Sequence, residues 1–308
     1  MLALVSASTL LLAACGSGTI ESQLKPARVI AFGDGLSDLG QGGSRYTVND
    51  GTVNIWTESV ALSFALPLNN AVAGGQSYAR GNVRINAKPD AAGSSATPTV
   101  KEQIDTFLAA NTLGANDLVL LDGGFGDIVA EVAQLNAGAQ TSDQMLADVG
   151  QAGRDLGAQV RRLVQAGGQH VVVVGPYDLG RTPWAISTAQ VARLSQATLK
   201  FNEQLLLSIV DLGANALYVD AALLFNLMTS APTAYEMTNA ISPVCTSVDA
   251  GPGIGIGAGQ INSALCNAGT IASGATYNQY LFADHIYPTP TGQRKFGDYA
   301  YQRIRARW

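Results

Sequence analysis

The sequence carries little charge and has no run of basic residues. Only 13% of its 308 residues are charged and the formal net charge is −5. Because nucleic-acid partners require clustered lysine and arginine to neutralise phosphates, this composition argues against such a partner. Hydrophobic residues make up 47% of the chain. A chain of this length and composition is large enough to bury a sizeable core within one domain.

Long hydrophobic runs are also scarce, and the one at the N-terminus is too short to span a membrane. Residues 1–15 are apolar and end in small residues, which is typical of a secretory signal. Residues 12–15 read Leu-Ala-Ala-Cys and resemble the bacterial lipoprotein box, in which cleavage leaves a lipidated cysteine. We therefore expect a signal peptide at 1–14 and a lipidated tether at 15–27 that begins with Cys15. In that class, Gly16 after the cysteine implies the outer membrane of a bacterial cell envelope, facing the periplasm or the cell surface. The alternative is an ordinary signal with an unrelated cysteine.

Cysteine is rare, with three in the chain. Setting Cys15 aside leaves Cys245 and Cys266, which flank a glycine-rich loop. In an oxidising compartment such an even pair suggests one disulfide. Closing that loop would stabilise the fold by roughly 3 kcal/mol, mainly by restricting the unfolded chain. Two reduced, buried cysteines are the alternative.

Short apolar runs alternate with longer stretches of helical periodicity. The apolar runs predict strands over residues 28–32, 118–121, 170–174 and 216–219. The periodic stretches predict helices over residues 56–66, 100–110, 142–166, 188–212 and 291–305. This alternation predicts an α/β fold with a mainly parallel sheet between helices, and ligands in such sheets bind beyond the carboxyl ends of the strands. The aperiodic segments 81–97 and 229–276 are expected to lie near the mouth of such a site.

The first predicted strand runs into an informative loop. Residues 33–38 read Gly-Asp-Gly-Leu-Ser-Asp and resemble the Gly-Asp-Ser-Leu-Ser-Asp block of the GDSL, or SGNH, family of lipases and esterases. In that family the serine of this block is the nucleophile. Gly35 stands in its place, and a glycine has no side chain that can attack an ester.

Later blocks of the family follow in the same order. Gly81 matches the glycine whose backbone N–H binds the oxyanion, and residues 172–183 resemble a structural loop. Gly126 stands where the family has an asparagine that supplies a second oxyanion donor. Near the C-terminus, Asp284 matches the orienting acid, but Tyr287 holds the place of the histidine. Tyrosine, with an ordinary pKa of about 10, is a poor general base near neutral pH.

The resemblance implies a single SGNH-hydrolase-like domain over residues 28–308, a flavodoxin-like three-layer sandwich that needs no cofactor. It also implies lipid, acyl ester or cell-envelope carbohydrate as ligand. Since serine, asparagine and histidine are all replaced, we predict a catalytically impaired pseudo-hydrolase that retains an acyl- or glycan-binding pocket. If only side chains were lost, restoring Gly35→Ser, Gly126→Asn and Tyr287→His together would create esterase activity.

Two alternatives remain open from the sequence. In the first, Ser37 and His285 form a relocated nucleophile and base in an active carboxylic-ester hydrolase, with a nearby aspartate orienting the imidazole. In the second, clustered aspartates hold a calcium or magnesium ion near the strand ends. The aspartates concerned are Asp34, Asp38, Asp122, Asp127 and Asp284.

Overall fold

Four short apolar segments form the central sheet of the computed structural model, which describes residue 22 and residues 24–308. The strands are β1 (Arg28–Phe32), β2 (Asp117–Asp122), β3 (His170–Val174) and β4 (Ala216–Tyr218). They lie side by side in chain order and all pair in parallel. β2 is buried along its whole length because helices cover both faces of the sheet. The predicted lipidation site Cys15 and signal peptide 1–14 lie outside the described residues.

A short segment, residues 76–80, pairs alongside β1 and extends the sheet at that edge. The amide of Ala31 donates to the carbonyl of Gln76 at 3.0 Å, and the amide of Tyr78 donates to the carbonyl of Ala31 at 2.7 Å. The amide of Arg80 then donates to the carbonyl of Gly33 at 3.1 Å. This pairing places Gly81 next to the loop that follows β1.

The helices form layers on the two faces of the sheet. Within the described residues they are α1 (Trp56–Ser63), α2 (Val100–Ala110), α3 (Phe125–Asn136), α4 (Ser142–Gln165), α5 (Pro183–Ser187), α6 (Val191–Ile209), α7 (Ala221–Ser230) and α8 (Pro290–Arg307). α4 packs along α6, while α1 and α7 pack against α8. The predicted α/β three-layer architecture with a parallel sheet is confirmed. No described helix combines the length and the hydropathy needed to cross a bilayer.

The predicted elements agree with the structure except at a few ends and in several omissions, among them the short helix α5. The helix predicted at 56–66 ends at Ser63, since Ala65 adopts a left-handed φ of 56°. The helix predicted at 188–212 begins at Val191. Ala189, with a φ of 54°, interrupts the helical conformation between α5 and α6. α3 and α7 were not predicted from periodicity.

The aperiodic segment 229–276 contains short strands of its own. β5 (Asn239–Pro243) pairs in parallel with β8 (Tyr280–Phe282), and β6 (Val248–Asp249) pairs antiparallel with β7 (Gln260–Ile261). Cys245 and Cys266 form a disulfide with their Cα atoms 5.9 Å apart. The predicted disulfide is therefore present, and it closes a loop within this segment.

Candidate active site

The loop after β1 is anchored to the start of α3 by a buried carboxylate. One oxygen of Asp34 accepts a hydrogen bond from the amide of Leu36, and the other accepts from the amide of Phe125, both at 3.1 Å. Gly35 lies in this loop and is buried. The place that the motif assigns to a nucleophile is therefore held rigidly, at the carboxyl end of the sheet.

The side chain of Tyr287 occupies the space that a nucleophile would need. A β-carbon added to Gly35 would lie 2.6 Å from both the Cζ and the Oη atoms of Tyr287. Carbon atoms in contact are normally 3.5–4.0 Å apart. A serine at position 35 and this tyrosine conformation therefore exclude each other. Glycine at position 35 and tyrosine at position 287 are therefore coupled through packing, although the sequence shows them as two separate departures from the family motif.

Tyr287 belongs to a cluster of aromatic rings that fills this centre. Its ring centroid is 5.0 Å from that of Tyr46 and 6.1 Å from that of Phe125. Phe125 packs edge-on against Tyr177 at 4.8 Å, and Tyr177 stacks on Phe225 at 4.0 Å. Only 2% of the Tyr287 surface is exposed. Burial, together with the nearby Asp34 carboxylate, raises the pKa of Tyr287 well above its ordinary value, so the phenol stays neutral and is no base.

The backbone donor predicted at Gly81 is already engaged. Its N–H donates to the carboxylate of Asp38 at 2.9 Å, while the other carboxylate oxygen accepts from the amides of Gly40 and Gln41. A β-carbon at position 81 would overlap the ring of Tyr46. The N–H that the family uses to bind an oxyanion instead serves here to fix the loop.

Gly126 lies in the first turn of α3, with no room for an asparagine. A β-carbon there would overlap the carbonyl oxygen of Val83 and lie 2.8 Å from its carbonyl carbon. The backbone at this point is held in turn by Asp127, which accepts from the amide of Ile85 at 3.0 Å and pairs with Arg84. The expectation that restoring three side chains would rebuild activity is therefore wrong, because Gly126→Asn collides with main chain.

Asp284 is also used for structure. It is fully buried, and its carboxylate accepts hydrogen bonds from the amides of Ile286, Tyr287 and Ser263 at 2.7, 2.6 and 3.0 Å. Burial raises the pKa of this carboxyl group to about 6, although these hydrogen bonds oppose the shift. Its oxygens thus orient the turn before Tyr287 and not an imidazole ring.

The relocated pair of Ser37 and His285 is not brought together. The hydroxyl of Ser37 is buried and accepts a hydrogen bond from the indole N–H of Trp56 at 2.9 Å. The Nδ1 atom of His285 is buried and has no partner among the described residues. Ser37 thus supports Trp56, and among the described residues no hydrogen bond joins it to His285 as this alternative would require.

The carboxylates predicted to gather around a metal ion do not form such a site. Among the described residues, no group of three or more potential metal ligands is arranged to hold an ion. Asp34 and Asp122 do lie together, both fully buried at the ends of β1 and β2. Burial and the negative charge of Asp34 raise the pKa of Asp122 well above its ordinary value.

The two aperiodic segments lie against this centre and cover it. The side-chain amide of Asn82 donates to the carbonyl of Gly253 at 2.9 Å, and Ile254 is buried. Ser263 binds Asp284 from the same segment. The prediction of an acyl- or glycan-binding pocket at this point is therefore corrected, because the residues that would line it are all buried: Gly35, Gly81, Gly126 and Tyr287. Tyr46, which closes the centre beside Gly81, carries no sequence signal that would have revealed its role.

The blocks at the ends of β1 and β2 and before α8 define the class of protein. The chain matches the GDSL-like lipase/acylhydrolase model over residues 29–300 and belongs to that family. A Pseudomonas putida protein described as an uncharacterized protein in the trpE-trpG intergenic region is 27% identical over 91% of this chain. This chain covers 49% of that protein and so spans about half of its length. The native aryl esterase of M. smegmatis is 14% identical, with a TM-score of 0.47, over 91% of this chain and 99% of its own.

Proposed function

We propose that this chain is a non-hydrolytic member of the GDSL family, a pseudo-hydrolase that acts as a binding or structural module in the bacterial cell envelope. Cys15 carries its lipid anchor in the outer membrane, and the lipid or ester ligands that its family suggests bind outside the filled centre. The observation that carries this proposal is the overlap between a side chain at position 35 and the ring of Tyr287.

The size of the catalytic loss supports the proposal. Removing a serine or histidine from a catalytic triad can cost about a million-fold in rate. What remains in such variants comes largely from the oxyanion hole and substrate binding. Here the Gly81 N–H is bound to Asp38, and the carbonyl of Val83 occupies the space beside Gly126. Both positions of the oxyanion hole are therefore obstructed, and the burial of Gly35 and Tyr287 leaves no open space for a substrate beside them.

The test is a direct search for covalent chemistry. The purified chain is incubated with p-nitrophenyl acetate and with an alkyl fluorophosphonate, and hydrolysis and intact mass are followed, with the aryl esterase of M. smegmatis as positive control. We expect no hydrolysis above buffer and no added mass. A stoichiometric acyl or phosphonyl adduct on any residue would overturn the proposal.

The anchoring part is tested separately in cells. We expect the chain to incorporate labelled palmitate and to sediment with outer membranes, whereas Cys15→Ser releases it into the soluble fraction. A Cys15→Ser variant that stays in the membrane fraction would contradict anchoring at this residue without affecting the conclusion about catalysis.

A further inference from the structure

An open groove lies at the other end of the same sheet edge, between α6 and α7. It has a volume of about 520 Å³, within the range of about 300–1,000 Å³ that is usual for small-molecule sites. Asp178 follows β3, and Tyr218 and Asp220 stand at the end of β4, so the groove sits at the carboxyl ends of these two strands. Ligands of open α/β sheets bind at this edge.

The walls of the groove include apolar side chains that are left in water. Leu199 and Leu206 of α6 line it and are 70% and 42% exposed. Ala222 of α7 and Tyr218 at the end of β4 also line it. A hydrocarbon chain placed here would cover the leucines, and burying apolar surface is the main driving force for such binding.

The polar lining of the groove is acidic. Its charged members are Asp178, Glu203 and Asp220, and no basic side chain lines it. Asp178 lies 3.6 Å from Arg181, and Glu203 lies 3.3 Å from Lys200, so both have a cation nearby.

Asp220 is different, because no ion pair is formed by it within the described residues. Its Oδ1 atom accepts the amide hydrogen of Leu223 at 2.9 Å, which caps α7. Burial and, after it, the Asp220 carboxylate raise the pKa of the Tyr218 hydroxyl. The side-chain oxygen of Asn226, also in the lining, has no partner among the described residues.

We propose that this groove binds a lipophilic ammonium ligand. Its hydrocarbon chain packs on Leu199 and Leu206, and its cationic head pairs with Asp220. An apolar ligand with a carboxylate or phosphate head would bring like charges together and is selected against. The site is separate from the filled centre, although Phe225, the neighbour of Asn226, packs on Tyr177. It goes beyond the proposed function and does not depend on it.

Binding is tested by calorimetry on the whole chain with three probes of equal chain length: n-octylammonium, 1-octanol and octanoate, at constant ionic strength. We expect saturable one-to-one binding of octylammonium and no measurable binding of octanoate. Octanol should bind about fivefold more weakly than octylammonium, the size expected for one partly exposed ion pair. Octanoate or octanol binding as tightly as octylammonium would overturn the proposal.

Two variants locate the site. Asp220→Asn keeps an oxygen that caps α7 and removes the charge, so octylammonium should bind about fivefold more weakly while octanol is unchanged. Ala222→Trp fills the groove and should abolish binding of both, whereas Leu227→Trp, on the exposed side of the same helix, should not. Circular dichroism checks that all three variants fold. Unchanged octylammonium binding in folded Asp220→Asn and Ala222→Trp would place any binding elsewhere and overturn the proposal.

Discussion

The two ends of one sheet edge differ in how their space is used. Beyond β1 and β2, rings from three separate segments pack into the place of the family's catalytic groups: Tyr46, Phe125 and Tyr287. Beyond β3 and β4, α6 and α7 stand apart and leave leucines in contact with water. Both ends have the topology that usually receives a ligand. The fold thus determines where a ligand site can form, and the side chains at that place determine whether the space is open or filled.

The largest effect should come from emptying the filled end. Tyr287→Ala removes a buried ring and should lower the free energy of unfolding by about 3–5 kcal/mol. Leu199→Ala at the open end removes an exposed side chain and should change it by no more than about 0.5 kcal/mol. Urea unfolding of both variants measures the contrast. Tyr287→Phe, which keeps the ring, is the matched control, and equal losses for Tyr287→Ala and Leu199→Ala would contradict a filled centre.

A smaller effect for each group is expected from pH at Asp284 and Asp127, two of the buried carboxyl groups beside the filled end. Burial raises the pKa of Asp284 and of Asp127 to about 6, above the value of about 4 expected in the unfolded chain. Between pH 4 and 6 the folded state therefore holds protons that the unfolded state has released. Stability should be greatest at the acidic end of this window and fall as pH rises, by up to about 3 kcal/mol for each group.

The free energy of unfolding, measured in urea from pH 4 to 7, checks this sign. The partners of Asp105, Lys101 and Arg162, lower the pKa of its carboxyl group. Asp105 therefore makes stability rise with pH, but mainly below about pH 4. Asp284→Asn should reduce the slope in the pH 4–6 window. A stability that rises with pH across that window would show that these carboxyl groups ionise freely in the folded protein.

The smallest of the three effects concerns the coupling between Gly35 and Tyr287. Gly35→Ser alone should destabilise the fold by about 1–3 kcal/mol, since it overpacks the space beside the ring. In a Tyr287→His background the same change should cost less, because the smaller ring leaves room. A double-mutant cycle of unfolding free energies measures the difference. Strictly additive costs would mean that the two positions do not compete for space. The double variant should still lack esterase activity, because Gly81 and Gly126 remain obstructed.

The sequence was sufficient for most of the fold. Continuous apolar runs such as 170–174 predicted the strands, and amphipathic stretches such as 142–166 predicted the long helices. α3 was missed because its first turn lies within a glycine-rich motif that reads as a loop. α7 was missed because Ala221–Ser230 is apolar on nearly all sides and gives no clear period.

The candidate site was only partly predictable. The replaced positions Gly35, Gly126 and Tyr287 could be read from the motif blocks, since each block has a fixed order of residues. That Tyr287 fills the space beside Gly35, and that Tyr46 covers Gly81, depends on packing between segments far apart in the chain. Periodicity and spacing carry no information about such contacts, so the closure of the pocket could not be foreseen.

The position of the Val83 carbonyl bears on whether this centre could regain its chemistry by stepwise mutation. An obstructing side chain can be removed by a single codon change, whereas a peptide group is present whatever residue is encoded. Moving this carbonyl away from Gly126 would require a different backbone conformation for residues 82–85. The ion pair between Arg84 and Asp127 would then have to form again in that conformation. We therefore expect changes made one residue at a time to destabilise the fold before they clear the space beside Gly126.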